Sequence, residues 1–192
     1  MPDQYQLGKH ICMTDYTLYQ SEFIANNQDL IFEDINRAHN LFREVFPNQD
    51  STWTYHKYNI FALTAPSTAF YQIYTELRNL VRSQLGNDRP LWFQAWINYH
   101  QQSELLNWHG HDFDYHGYIA IDPKNTKTVF EGYEIVNKPG QIYFGPGWRE
   151  HKVEAISPFQ GVRTTIGFDI FTTPDDNHVS HPYTNLSLMP LL

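Results

Sequence analysis

Apolar residues in the first half of the chain recur at helical spacing. Between residues 29 and 46 they fall at Ile31, Ile35, Ala38, Leu41, Phe42 and Val45, a stripe along one helix face that stops before Pro47. A second stripe follows Ser67, which is placed to cap a first turn. It comprises Phe70, Ile73, Tyr74, Leu77, Leu80, Val81 and Leu85, and Gly86 and Pro90 supply its stop. Stripes of this width pack one side of a helix against a sheet. Residues 47–66, with Trp53, Tyr55, Tyr58 and Phe61, follow neither period, and a short strand is expected around residues 11–19.

After Pro90 the period changes. Residues 91–99 make an aromatic-rich strand, and 115–121 another, closed by Asp122-Pro123. Residues 128–136 alternate as one strand and run into the turn Asn137-Lys138-Pro139-Gly140. A short strand over 141–144 meets a tight turn at Gly145-Pro146-Gly147, and strands over 150–156 and 161–171 follow. Short strands divided by Pro/Gly turns predict a mainly β, jelly-roll architecture in one domain over residues 1–192. Its parts are a helical support region at about 25–90, a core at about 91–171, and a tail at 172–192 that wraps the body or forms a lid. His178 and His181 in that tail read as surface histidines.

Composition narrows the picture. Aromatics are 16% of the chain, with 13 Tyr, 13 Phe and 5 Trp, which suits pleated, half-buried surfaces. A formal charge of −8 disfavours nucleic acid as a partner, because that affinity rests on Lys and Arg contacts to phosphate. The lone Cys12 rules out an internal disulfide. With neither a leader-like N-terminus nor a long apolar run, the expectation is a cytoplasmic protein outside the membrane, of undetermined oligomeric state.

The chemistry gathers around Trp108-His109-Gly110-His111-Asp112 and His151. On an extended strand the side chains of His109 and His111 project from one face, so both imidazoles can converge on one point. His151, on a later strand pairing with the first, would close a three-point cradle for a metal with open coordination positions. Beyond it, Arg163 and Thr165 again share a strand face, and a guanidinium beside a hydroxyl makes a good anchor for a carboxylate. Taken alone, Arg163 could simply pair with Asp169 or Glu154 at the surface.

Several segments together resemble the iron(II)/2-oxoglutarate-dependent oxygenases, in the pattern of bacterial and phage members. They are Trp96-Ile97-Asn98-Tyr99, His109-x-His111 with His116-Gly117-Tyr118 after it, the run from Phe144 through Pro146 to His151, and Arg163-x-Thr165 with Gly167-Phe168-Asp169 beyond. The resemblance implies a double-stranded β-helix, Fe(II) on His109, His111 and His151, and 2-oxoglutarate held by Arg163 and Thr165. Tyr99 sits where many relatives place a tyrosine that also touches the cosubstrate's far carboxylate. The implied activity is O2-dependent hydroxylation of an amino-acid, peptide or small-molecule substrate, with release of succinate and CO2.

One departure stands out, because the family's common pattern has Asp or Glu where His111 stands. Three histidines may suffice as ligands, Asp112 or Asp114 may enter through a bulge, or the site may be degenerate; strand geometry favours His111. Two readings from other classes remain beside this one: a three-histidine cupin-type dioxygenase that does not use 2-oxoglutarate, and a non-catalytic jelly-roll binding module.

Overall fold

Two antiparallel sheets face each other, and helices cover the outer side of the larger one. The computed structural model describes residues 15–45, 58–86, 89–172 and 188–192. The first expected strand therefore keeps only its end, as β1 (Thr17–Gln20). Trp53, Tyr55, His178, His181 and most of the tail lie outside the described residues. Among the described residues, no helix is long and apolar enough to cross a membrane.

The helices form where their stripes predict. α2 (Gln28–Val45) buries Ile31, Ile35, Ala38 and Phe42. α4 (Thr68–Leu85) starts at Ser67, whose Oγ accepts from Phe70 N–H at 3.1 Å, and stops at Gly86 with φ +91°. The Ser67 hydroxyl also donates to the buried Asp34 carboxylate of α2, tying the two helices together. Two short helices, α1 (Glu22–Asn26) and α3 (Ile60–Leu63), are too brief to show a stripe in the sequence. Just before α3, the Tyr58 hydroxyl accepts from Ile97 N–H (2.8 Å) and Asn59 Nδ2 donates to the Phe93 carbonyl (3.1 Å). These bonds satisfy an edge that would otherwise expose unpaired backbone groups.

The larger sheet runs β1-β6-β3-β8-β2-β9, with β2 (Trp92–His100), β3 (Tyr115–Asp122), β6 (Gln141–Pro146), β8 (Arg163–Phe171) and β9 (Met189–Pro190). Two of its strands come from outside the 91–171 core: β1 pairs with β6, and β9 with the start of β2. The chain's end is thus docked on the body, with Leu191 fully buried. β6 continues through the expected Gly145-Pro146 turn. β1 reaches only Phe144, so Pro146 stands where the strand has one neighbour, a position that tolerates a missing N–H.

The smaller sheet runs β5-β4-β7, with β4 (Thr126–Phe130), β5 (Tyr133–Val136) and β7 (His151–Ala155). The single strand expected over 128–136 is instead a hairpin. Phe130 pairs with Tyr133 across Glu131-Gly132, and Gly132 adopts φ +92°, a conformation open to glycine at little cost. Both sheets contribute to the interior: the helix side packs the main apolar core, while Tyr118, Phe130, Ile135 and Tyr143 form a smaller core between the sheets.

Candidate metal and carboxylate site

The gap between the sheets holds a cavity of about 280 Å³, and strand alternation decides what faces it. On β2 the inward residues are Gln94, Trp96, Asn98 and His100. β8 places Asp169, Gly167, Thr165 and Arg163 opposite them, rung by rung. β3 adds His116 opposite Asp169 and Tyr118 opposite Gly167. At Gly167 a side-chain carbon would lie 2.6 Å from the Trp96 indole, so the missing side chain lets that ring rest on the strand as a wall of the cavity.

The edge of the smaller sheet and the loop alongside it supply the histidines. His109 and His151 face each other as a hydrogen-bonded pair, His109 N–H to the His151 carbonyl at 3.0 Å and the reverse at 2.8 Å. Directly opposed residues share a face, so their rings lie 4.3 Å apart. His111, two residues on, is held by its N–H to the Gly147 carbonyl at 3.1 Å. One ring nitrogen from each of His109, His111 and His151 lies within 4.8 Å of the others. His109 Nδ1 donates to the Asn107 carbonyl (2.7 Å) and His151 Nδ1 makes a longer contact to the Arg149 carbonyl (3.4 Å), which leaves Nε2 of each for another partner. His111 Nε2 is buried without a hydrogen-bond partner. Burial, then the neighbouring histidines, pushes His151 well below the usual histidine range, and burial lowers His109 too. Neutral imidazoles are what a divalent metal needs from histidine.

At the far end of the same cavity Arg163 is 2% exposed, and among the described residues it has no carboxylate partner. Its Nη1 donates to His100 Nδ1 over 3.4 Å and its Nε has no partner. Burial lowers its pKa to about 10. Beside it, Asn98 Nδ2 donates to Thr165 Oγ1 at 3.3 Å, and Thr165 also lines the cavity.

Five of the six residues singled out in the sequence therefore line one cavity: His109, His111, His151, Arg163 and Thr165. Tyr99 does not. As an odd-numbered β2 residue it turns to the helices, with its ring 5.8 Å from His39 of α2, and His100 and Asn98 are the β2 residues on the Arg163 side. Neither acidic alternative to His111 enters the histidine cluster. Asp112 is exposed where it lines the cavity, and Asp114 accepts from the backbone (3.0 Å) and hydroxyl (2.6 Å) of Thr172. Nor does Asp169 pair with Arg163. It lies three rungs away, roughly 20 Å of strand, and is engaged by His111 and His116. His116 and Gln94 are site residues that the sequence reading missed. Their signal was available only through register: both pair with or sit beside Asp169 on the inward face.

The donor set suits a non-haem divalent metal, with three imidazoles on one side of a cavity and a buried, orphaned Nε2 among them. No family model matches the sequence, and neither does any curated protein. Solved structures do match the fold. HygX from Streptomyces hygroscopicus with nickel and 2-oxoglutarate bound superposes with a TM-score of 0.58 at 12% identity, covering 84% of each chain. Its iron-bound form gives 0.55 at 10% identity over the same shares. The non-heme alpha ketoglutarate dependent carbocyclase SnoK from nogalamycin biosynthesis gives 0.55 at 10% identity, covering 86% of this chain and 85% of its own. At such identities the likeness is one of fold: this chain is a mainly β, cupin-like jelly roll of the architecture these enzymes share.

Proposed function

We propose that the protein is an Fe(II)- and 2-oxoglutarate-dependent dioxygenase that hydroxylates a small-molecule, amino-acid or peptide substrate. The observation that carries this reading is Arg163. A guanidinium so buried, with no anionic partner among the described residues and opening onto the cavity that holds three histidines, calls for a carboxylate ligand. A three-histidine dioxygenase that makes no use of 2-oxoglutarate would leave that charge unexplained. The fold shared with HygX, whose structure carries 2-oxoglutarate, supports the same choice.

His109, His111 and His151 would hold the metal through Nε2. Arg163, with the Thr165 hydroxyl, would take the distal carboxylate of the cosubstrate, the planar fork fixing its orientation. Trp96 and Tyr118 wall the middle of the cavity and keep water from it, while Leu106, Phe113 and the exposed Asp112 line the part nearest solvent, where a substrate enters. Fe(II) and 2-oxoglutarate together supply the O2 chemistry: the cosubstrate leaves as succinate and CO2 and the substrate gains one oxygen atom.

Loading the protein with Fe(II) without air, then adding 2-oxoglutarate and O2, tests the reading. Succinate formed in amounts that depend on iron and exceed those from His151→Ala supports it. Iron uptake with no succinate at any 2-oxoglutarate concentration contradicts it.

A further inference from the structure

Behind the metal-facing histidines lies a carboxylate to which the sequence assigns no role in the site. Asp169 is fully buried, and three side chains converge on it. His111 Nδ1 (3.1 Å) and His116 Nδ1 (3.0 Å) both reach Oδ1, and Gln94 Nε2 donates to Oδ2 at 2.9 Å. The rings of His111 and His116 stack face to face, 3.6 Å apart at 13°. An ionised carboxylate only accepts hydrogen bonds, so both imidazoles must carry their proton on Nδ1. Each then keeps a lone pair on Nε2. For His111 that atom is the orphan buried among the other histidines.

We propose that Asp169 is the positioning residue that makes His111 a metal ligand: it fixes the Nδ1–H tautomer and the ring's orientation, with His116 as the slab against which the ring rests. The inference rests on the reading of His109, His111 and His151 as the metal's donors. It also accounts for a histidine at a position where a carboxylate is common. The negative charge stays in the site, one residue further back, and raises the basicity of the imidazole through the shared proton. Gln94 holds the other oxygen and keeps the carboxylate from turning away. The alternative, in which Asp169, His111 and His116 themselves grip the metal, would require Asp169 and the two Nδ1 atoms to give up the bonds they make with one another.

Two measurements test it. Metal-free wild-type protein labelled with ¹⁵N-histidine reports tautomers directly by long-range proton–nitrogen correlation. The expected spectrum has His111 and His116, assigned through His111→Gln and His116→Gln, in the Nδ1–H form; finding His111 in the Nε2–H form overturns the proposal. This needs no substitution at Asp169 and stands even if that variant does not fold. The second measurement is cobalt(II) affinity by competition with a chelator, for the wild type and for Asp169→Asn. A loss of about 10–100-fold is expected for a group acting through its neighbour. Unchanged affinity overturns the proposal alone, as does a loss as complete as that in His151→Ala, which would make Asp169 a ligand. A wild type that takes up no cobalt overturns both this proposal and the metal reading beneath it.

Discussion

The two faces of the β2–β8 pair are built from the same strands and are equally hidden from solvent, yet they are closed in opposite ways. Toward the helices stand Phe93, Ala95 and Ile97 with Ile166, Phe168 and Ile170, packed into the main core with only the Tyr99 ring half-buried at the end. Toward the cavity stand Gln94, Asn98, His100, Arg163, Thr165 and Asp169, bonded into a polar network with atoms left over. Burying apolar surface stabilises a fold directly. Burying polar groups costs free energy unless each finds a partner, so a cavity that leaves Arg163 Nε on this face and His111 Nε2 across from it unpaired does not serve stability. The difference marks the cavity face as the working one.

That division can be broken most severely at His151. His151→Ala should remove tight Fe(II) binding, a larger loss than the roughly 10–100-fold typical of an outer-shell change, because the cradle falls from three points to two. The strand should persist, since its bonds to His109 and Phe130 are made by backbone. Iron stoichiometry equal to wild type after anaerobic loading would reduce the cavity face to a buried polar patch.

A smaller effect should appear with acid. Burial, and then His111 beside it, pushes His116 down to about 4 although Asp169 opposes this. Burial alone would raise the Asp169 carboxyl, but His111 and His116 hold it below the usual carboxylate range. Between about 6.5 and about 4 the unfolded chain binds more protons at this histidine than the folded chain does, so stability falls as pH falls through that window. Asp169 adds a further loss below the ordinary carboxylate pKa. For His116 alone the full cost is on the order of 3 kcal/mol, of which about 2 kcal/mol falls between pH 7.5 and pH 5. Melting metal-free protein at pH 7.5 and pH 5 measures it; identical midpoints would mean that the buried histidines are not held neutral.

The smallest effect belongs on the helix face. Tyr99→Phe keeps the ring in its contact with His39 and should leave 2-oxoglutarate affinity unchanged. A marked loss, read in the same titration as for wild type, would show that the two faces are not separate in function.

Which side chains face inward was plainer in the smaller sheet than in the larger, although its β4–β5 hairpin read as a single strand. In β4 and β7 one face meets water, so buried Thr126, Thr128, Phe130, His151 and Val153 alternate with Lys127, Lys152 and Glu154. In β2 and β8 both faces are covered, polar and apolar alike, and the strand reads as one buried run. This is why the resemblance could assign Tyr99 to the cosubstrate although it stands on the helix face, and why Asp169 could stand as an alternative surface partner for Arg163. Arg163-x-Thr165 was legible because it obeys a strand's period of two; the His-x-His pair lies not on the expected strand but in a loop whose His109 bridges His151, and the close spacing still brings both rings to one point. His116, Gln94 and Asp169 meet only through the pairing of three strands distant in the chain, and no local pattern records that.

The central claim is that the cavity face holds 2-oxoglutarate through Arg163 and a metal through the histidines. Anaerobic titration of 2-oxoglutarate into Fe(II)-loaded protein, followed by the metal-to-ligand charge-transfer band, tests it most directly. Wild type should saturate. Arg163→Ala should bind more weakly by about 2–5 kcal/mol, roughly 30- to several-thousand-fold, and Arg163→Lys should fall between them, because it keeps the charge but loses the fork. Iron content should be the same in all three. Equal 2-oxoglutarate affinity in wild type and Arg163→Ala would contradict the account.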